Sequence, residues 1–196
     1  SRTDAGVHAR QNFFHFDMEE GNADWKKVVY HLNAILPADI AIREIREVKP
    51  DAHCRFDALS RSYEYSLFRF KDPFLADRAY YFPYKIEMHL LQEAAAIILQ
   101  SRYFEAFAKR NSQVYTYECS IYTSEWKEVD SNMFLYAVSG NRFLRGMVRG
   151  LVGTMLRVGT GKLQMTDFRD IIVSGDASRA DFSVPGHGLS LIRVSY

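Results

Sequence analysis

Asp4 is the residue of this chain whose neighbours best suit it to covalent chemistry. It stands two residues after Arg2, and residues 2–9 read R-T-D-A-G-V-H-A. A nearby guanidinium favours the ionised form of a carboxylate, and an ionised aspartate can act as a nucleophile. The alternative is a turn aspartate that bonds its own backbone, with Gly6 supplying a positive φ. The residues alone leave both interpretations open.

A second group of candidate residues lies in and just before a helix that we predict from about Phe143 to Val158. At 3.6 residues per turn, three arginines fall within an arc of about 60°: Arg142, Arg145 and Arg149. Such a stripe is either a solvated face or a set of cations directed at a site. Three glycines share a further face, although each costs a helix interior about 1 kcal/mol relative to alanine: Gly146, Gly150 and Gly153. We therefore predict that the backbone of a strand or loop packs on the glycine face and brings an arginine to a neighbouring strand end.

Tyr63 and Tyr65 lie on one face of a strand that we predict from Arg61 to Phe70. By default they are core or sheet-face aromatics. The six histidines never approach the spacing of a helical metal pair, and the segment Gly159–Lys162 lacks the first half of a phosphate-binding loop. We expect no metal and no cofactor.

The elements that must position these residues interleave without the rhythm of a parallel βαβ sheet. Strands are predicted at 7–16, 40–48, 61–70, 115–129, 133–139 and 189–196. Helices are predicted from Asn22 or Asp24 to Leu36, from Glu87 to Gln100, from Phe143 to Val158, and from Thr166 onward. The segment 51–59 reads as a connector. This pattern favours an α+β fold with a mainly antiparallel sheet.

Composition sets limits on the class of protein. The chain has 196 residues, is 47% hydrophobic and carries a formal charge of +1. It can bury a real core, but its charge gives no global support for a polyanionic partner. Membrane insertion is not expected, since no apolar run reaches about 18 residues. Two cysteines are too few for a disulfide framework and favour a reducing cytoplasm.

Four ordered motifs resemble those of the tRNA pseudouridine synthase A family. The first is the R-T-D-A-G-V-H-A of residues 2–9. Residues 52–58 and 61–65, A-H-C-R-F-D-A and R-S-Y-E-Y, resemble the family's A-R-F-x-A and R-x-Y-x-Y. Residues 141–149, N-R-F-L-R-G-M-V-R, and 188–191, G-L-S-L, resemble the remaining two. The motifs span the whole chain.

The resemblance implies roles for individual residues. Asp4 would be the nucleophile that makes a uridine detach from its ribose and rejoin through carbon, and no cofactor would be needed. Arg149 would pair with Asp4 and keep it ionised, Tyr63 would stack on the uracil and assist proton transfer at C5, and Arg2 would enter the RNA stack as the base flips out. A larger group would bind the substrate: Arg55, Arg61, Tyr65, Asn141, Arg142 and Arg145. The chemical route, with attack at C1′ or C6 or through a glycal, stays open.

The same resemblance implies an architecture and partners. It implies a pseudouridine synthase fold, with a sheet shared by two αβ halves and flanking helices, in a cytoplasmic homodimer that acts on tRNA. Residues 1–55 would be the remnant of the first half and 56–196 the second half. The target would be uridines on the 3′ side of the anticodon stem-loop. Two rivals stay open: an RNA-binding or tRNA-folding module without turnover, and a related synthase with other target positions.

The start of the sequence departs from the family pattern. The first residue is Ser1 rather than Met, and members of the family begin with a strand and a helix of on the order of fifty residues before the aspartate loop. We expect that an upstream segment is absent here, that Asp4 lacks an upstream anchor, and that the fragment folds but has weak or no activity.

Overall fold

The chain folds into two compact units. The computed structural model describes residues 3–18, 23–109 and 114–196. One unit consists of the residues up to Phe13 together with Ala58–Tyr196, and the other is Phe14–Asp57. Helices and a mixed sheet occur along the chain without regular alternation, so the predicted α+β class is confirmed.

A six-stranded sheet forms the larger unit. Its strands are β1 (His8–Ala9), β2 (Ser60–Phe68), β3 (Tyr80–Tyr81), β4 (Ile121–Glu128), β5 (Met133–Gly140) and β6 (Leu189–Ser195). The order is β1-β6-β2-β5-β4, and β3 pairs with the end of β2. The pairings of β2 with β5, β2 with β6 and β4 with β5 are antiparallel, whereas β1 with β6 and β2 with β3 are parallel. The strand β2 lies at the centre of the sheet and pairs with three others, β3, β5 and β6.

Four α-helices are present in the described residues: α1 (Trp25–Ile35), α2 (Met88–Gln100), α3 (Met147–Gly159) and α4 (Met165–Ser174). The helix predicted from Glu87 is confirmed as α2, which packs against β4, α3 and α4. Its buried residues recur at helical spacing: Leu91, Ala94, Ala95, Ile97 and Ile98. Burial of this apolar stripe, more than helix propensity, stabilises such a helix.

The start of α3 differs from the prediction. The helix begins at Met147 instead of about Phe143, and Gly146 precedes it with a left-handed φ of 74°. The backbone of the preceding residues is engaged elsewhere, because Asn141 N–H donates to Ser120 O at 3.0 Å and Arg145 O accepts from Lys109 N–H at 2.9 Å. The predicted arginine stripe is therefore wrong: Arg142 and Arg145 precede the helix and only Arg149 lies on it.

Three predicted strands were too long or absent. The strand predicted at 7–16 is reduced to β1, and the one predicted at 115–129 begins at Ile121. Residues 40–48 form no strand. In that segment the backbone of Ile42 is bonded in both directions to the Asn33 amide, at 2.7 and 2.8 Å, which takes the place of a ladder partner. The hairpin of β4 and β5, the short helix α4 and the final strand are confirmed.

The smaller unit is built around α1. Asp24 caps this helix by accepting from Lys27 N–H at 3.2 Å, whereas Asn22 lies outside the described residues. None of the residues of α1 is buried, although its apolar positions recur at helical spacing. No helix in the described part of the chain is long and apolar enough to span a membrane.

Candidate active site

Asp4 lies in a turn that leads into β1. The turn is closed by a hydrogen bond from Val7 N–H to Asp4 O at 3.2 Å, and Gly6 has a φ of 74°. Beyond the turn, His8 pairs with Ser190 of β6. The backbone carbonyl of Asp4 closes this turn, while its side chain, which is 29% exposed, faces a cation.

That cation is Arg149, in the first turn of α3. Its Nη1 lies 3.9 Å from Oδ2 of Asp4, which is an ion pair rather than a hydrogen bond. Its Nε donates to the carbonyl of Val184 at 2.8 Å, and Nη2 donates to the carbonyl of Phe182 at 3.3 Å. The Arg149 side chain is only 23% exposed, and its guanidinium is held by three groups at once.

Arg149 reaches these carbonyls because the chain at Asp181 and Phe182 lies directly on the glycines of α3. A Cβ at Gly153 would fall 2.3 Å from Asp181 O, and one at Gly150 would fall 2.7 Å from the Phe182 ring. The predicted close approach of a backbone is thus confirmed at Gly153, whereas the neighbour of Gly150 is an aromatic side chain.

Thr154 attaches the same segment to α3. Its side chain is fully buried, and its hydroxyl donates to Gly150 O at 2.7 Å and accepts from Asp181 N–H at 2.9 Å. A buried hydroxyl with both a donor and an acceptor partner is fully used, so this contact fixes where the segment leaves the helix.

Tyr63 lies on β2 near the charged pair and is 9% exposed. Its ring meets Phe143 edge to face, with centroids 5.2 Å apart and an interplanar angle of 84°. Burial raises the pKa of the Tyr63 hydroxyl, Arg61 opposes that shift, and the Asp4 carboxylate adds to it. The phenol therefore stays protonated at neutral pH.

Tyr65, two residues along β2, is fully buried. Its hydroxyl donates to the carbonyl of Pro185 at 2.8 Å, and burial raises its pKa far above the usual range. The resemblance assigns Tyr65 to substrate binding, but a direct contact with substrate is not available to a side chain in this position.

The other predicted residues are more dispersed. Arg61 donates to Asn141 O at 3.3 Å, and the Asn141 side chain accepts from Ser120 N–H at 2.9 Å. Burial raises the pKa of the Cys119 thiol, and the charge of the half-buried Arg142 opposes part of that shift.

The remaining three differ in what the structure describes of them. Arg145 is exposed. Arg55 is an exposed residue of the smaller unit, with its guanidinium 5.4 Å from the centroid of the Phe56 ring. Arg2 lies outside the described residues. In the described part of the chain, no group of three or more His, Cys, Asp or Glu side chains is placed to hold a metal ion.

Sequence reasoning missed the segment that surrounds Arg149. Neither Thr154 nor the carbonyls of Phe182, Val184 and Pro185 belong to a recognisable motif. The glycine face of α3 was the available signal, since it predicts a close neighbour. It could not identify that neighbour, because the two are 28 residues apart, as Gly153 and Asp181 show, and no pattern links them.

Comparisons with known proteins identify the family of this chain. Residues 94–196 match the model of the tRNA pseudouridine synthase family. A protein of Porphyromonas gingivalis named tRNA pseudouridine synthase A is 43% identical over 197 residues, which cover 100% of this chain and 78% of that relative. Proteins of the same name from Bacteroides fragilis and Parabacteroides distasonis are 41% and 40% identical over 195 residues, covering 100% of this chain and 77% of each relative. The chain therefore belongs to the tRNA pseudouridine synthase A family.

Proposed function

We propose that this protein isomerises uridine to pseudouridine in tRNA, with Asp4 as the nucleophile. The observation that carries the proposal is the ion pair between Asp4 and Arg149, and the charge of Asp4 also acts on the phenol of Tyr63. Family membership supplies the reaction class, and the site supplies residues suited to it.

The reaction breaks the bond between N1 of uracil and C1′ of the ribose and forms a bond between C5 and C1′. A proton leaves C5 and N1 takes one up, so the product has the same atoms as the substrate. An isomerisation of this kind consumes no cofactor. The Asp4 carboxylate is proposed to attack C1′ or C6 as a nucleophile. The open alternative is that it begins a glycal route as a base, and trapping experiments distinguish these routes.

Arg149 is proposed to keep Asp4 ionised when bound RNA excludes water. Removing water disfavours a charged carboxylate, and an adjacent cation offsets that cost. Since Arg149 is already anchored to the carbonyls of Val184 and Phe182, little reorganisation is needed when the site closes.

Tyr63 is proposed to stack on the flipped uracil. Its raised pKa makes the phenolate costly, which favours stacking and hydrogen-bond donation over abstraction of the C5 proton. Arg2 is proposed to enter the RNA stack as the base flips out. Phosphates are proposed to be bound by Arg55, Arg61, Arg142 and Arg145. Asn141, whose side chain accepts a hydrogen bond from Ser120 N–H, is proposed to bind substrate beside Arg142.

Several finer features are proposed from the resemblance. They are uridines on the 3′ side of the anticodon stem-loop as targets, a homodimer, a cytoplasmic location, and a sheet shared by two αβ halves divided near residues 55 and 56. The apolar positions of α1, none of them buried, support the shared arrangement, because an amphipathic helix gains stability only when its apolar face is covered. Light scattering after size-exclusion chromatography tests the dimer.

The decisive experiment compares the wild type with Asp4→Ala. Each protein is expressed from the complete natural reading frame in which this sequence occurs. Both are incubated with an unmodified tRNA transcript, and pseudouridine is mapped by carbodiimide labelling and reverse transcription. We expect stops in the anticodon stem-loop that disappear with Asp4→Ala. Stops at other positions would indicate a synthase with other targets. Salt-sensitive tRNA binding without any stops would replace the proposal with a binding module. The expectation that residues 1–196 alone are weakly active or inactive stays a prediction, tested in the same assay.

A further inference from the structure

One short segment, residues 181–188, contacts both Arg149 and the loop that carries Asp4. We call this segment the brace. Its carbonyls at Phe182 and Val184 accept hydrogen bonds from Arg149. Farther along, Gly186 lies so close to the Asp4 loop that a Cβ there would be 2.5 Å from Ala5 O. The position of the brace therefore influences how Arg149 and Asp4 face each other.

Tyr65 fixes the middle of the brace to the sheet. Its hydroxyl donates to Pro185 O at 2.8 Å, one residue beyond the carbonyl that receives Arg149 Nε. The brace also lies on the Tyr65 ring, because a Cβ at Gly188 would be 2.7 Å from Cζ and 2.9 Å from the hydroxyl oxygen. Tyr65 itself is fully buried on β2, which is paired on both sides. It is a rigid point of attachment.

Thr154 fixes the beginning of the brace to α3. It accepts from Asp181 N–H at 2.9 Å, and its own proton is directed to Gly150 O. Arg149 projects from the same helix. The brace is thus attached to α3 by Thr154 and to the sheet by Tyr65, and Arg149 binds the carbonyls between these two attachments.

We propose that Tyr65 and Thr154 are positioning residues, which act through the brace to orient Arg149 toward Asp4. The kinetic consequence rests on the proposed function, whereas the structural consequence does not. Loss of either hydroxyl leaves a half-buried group of the brace without its partner, the carbonyl of Pro185 in one case and the N–H of Asp181 in the other. The brace then shifts, and Arg149 loses its fixed direction.

The first test compares Tyr65→Phe with Tyr136→Phe. Tyr136 is a well-matched control, because it is directly opposite Tyr65 in the pairing of β2 with β5, is equally buried, and bonds Ser124 at 2.8 Å instead of the brace. We expect kcat for tRNA to fall about tenfold in Tyr65→Phe with KM changed less than about twofold, and neither value to change in Tyr136→Phe. Equal effects of the two substitutions would overturn the proposal.

The second test uses α3 and does not depend on the first pair folding well. Thr154→Val removes the hydroxyl that holds Asp181. Thr160→Val is its control, because the Thr160 hydroxyl at the end of α3 bonds two carbonyls of that helix instead of the brace, Leu156 O at 2.8 Å and Arg157 O at 3.3 Å. We expect the same fall in kcat for Thr154→Val alone, and recovery in Thr154→Ser, which restores the hydroxyl.

The third measurement is independent of activity. In the wild type, the Nε proton of Arg149, bonded to Val184 O, should exchange slowly with water in ¹⁵N NMR spectra of the arginine side chains. We expect exchange at least tenfold faster in Tyr65→Phe and Thr154→Val, and no change in the two controls. If the wild type forms no pseudouridine while this exchange still responds, the proposed function fails and the positioning role stands. Unchanged exchange in both test variants would overturn the positioning role.

Discussion

The guanidinium nitrogen of Arg149 that lies nearest to Asp4 is Nη1, 3.9 Å from Oδ2. The Nε and Nη2 of Arg149 are committed to the carbonyls of Val184 and Phe182. The cation beside Asp4 is therefore oriented by neutral backbone groups before any substrate arrives, and its geometry should matter as much as its charge.

Arg149→Lys tests this relationship. Lysine keeps the charge, but one ammonium group cannot reproduce the planar fork that serves two carbonyls and a carboxylate. We expect kcat to fall at least tenfold, equivalent to about 1.4 kcal/mol of activation free energy. Arg157→Lys is the control, since Arg157 also lies on α3 and binds a carbonyl, that of Arg179 at 3.2 Å. Steady-state kinetics on tRNA should distinguish the two, and equal kcat values would contradict a geometric role for Arg149.

Gly153→Ala should destabilise the fold more than Gly150→Ala. Both glycines are interior to α3, so alanine gains about 1 kcal/mol of helix propensity at either position. The new methyl at 153 would meet the backbone oxygen of Asp181 at 2.3 Å, whereas the one at 150 would meet the half-buried Phe182 ring, which can turn aside. We expect Gly153→Ala to lower the free energy of unfolding by about 2 kcal/mol. Urea denaturation of both variants measures the difference, and equal midpoints would contradict the close approach.

Arg145→Ala should weaken tRNA binding in a salt-dependent way. Arg145 is exposed just before α3, and a cation that contacts phosphate releases counterions. We expect the slope of log K against log salt concentration to decrease in magnitude by about 0.7 to 0.9. Arg169→Ala provides the control, because Arg169 on α4 lies 3.6 Å from Glu93 and is not among the predicted RNA-binding residues. A slope unchanged in Arg145→Ala would remove this residue from the interface.

Cys119 should make stability depend on pH in alkaline solution. Burial raises the pKa of its thiol from 9.0 to about 11. Above pH 9 the unfolded chain loses this proton while the folded chain keeps it, so the stabilising contribution is complete below pH 9 and is lost as the pH rises to about 11. Denaturation of the wild type and Cys119→Ala at pH 8, 9, 10 and 11 should show the wild type losing stability faster. Parallel curves would show that the thiol does not titrate in this way.

The elements with a continuous apolar period were predictable. The helix that became α2 and the alternation that became β2 and β5 follow directly from spacing, because one face of each is buried. Residues 40–48 show the limit of the same rule. Their isoleucines suggest a strand, but a strand also needs a partner, and the Asn33 side chain occupies the backbone of Ile42 instead.

The residues of the candidate site were predictable from the sequence, but the residues that hold them in place were not. Asp4, Tyr63 and Arg149 were selected from motifs, and the structure places them near one another. The predicted start of α3 was wrong, because a glycine such as Gly146 in a helical pattern does not reveal whether its φ is positive. The role of Tyr65 was hidden for another reason, since the alternation of a strand shows which residues face inward but not which distant carbonyl a hydroxyl meets.

The pairing of β1 with β6 also sets the order of events during synthesis. The Asp4 loop leaves the ribosome among the first residues described here, while the strand that aligns it, through His8 and Ser190 and through Gln11 and Val194, is made among the last. Contacts between such distant stretches form late, because the intervening chain must first be ordered. A nascent chain consequently carries Asp4 without β6 beside it, and the proposed site can form only after residues 189–195 have been made.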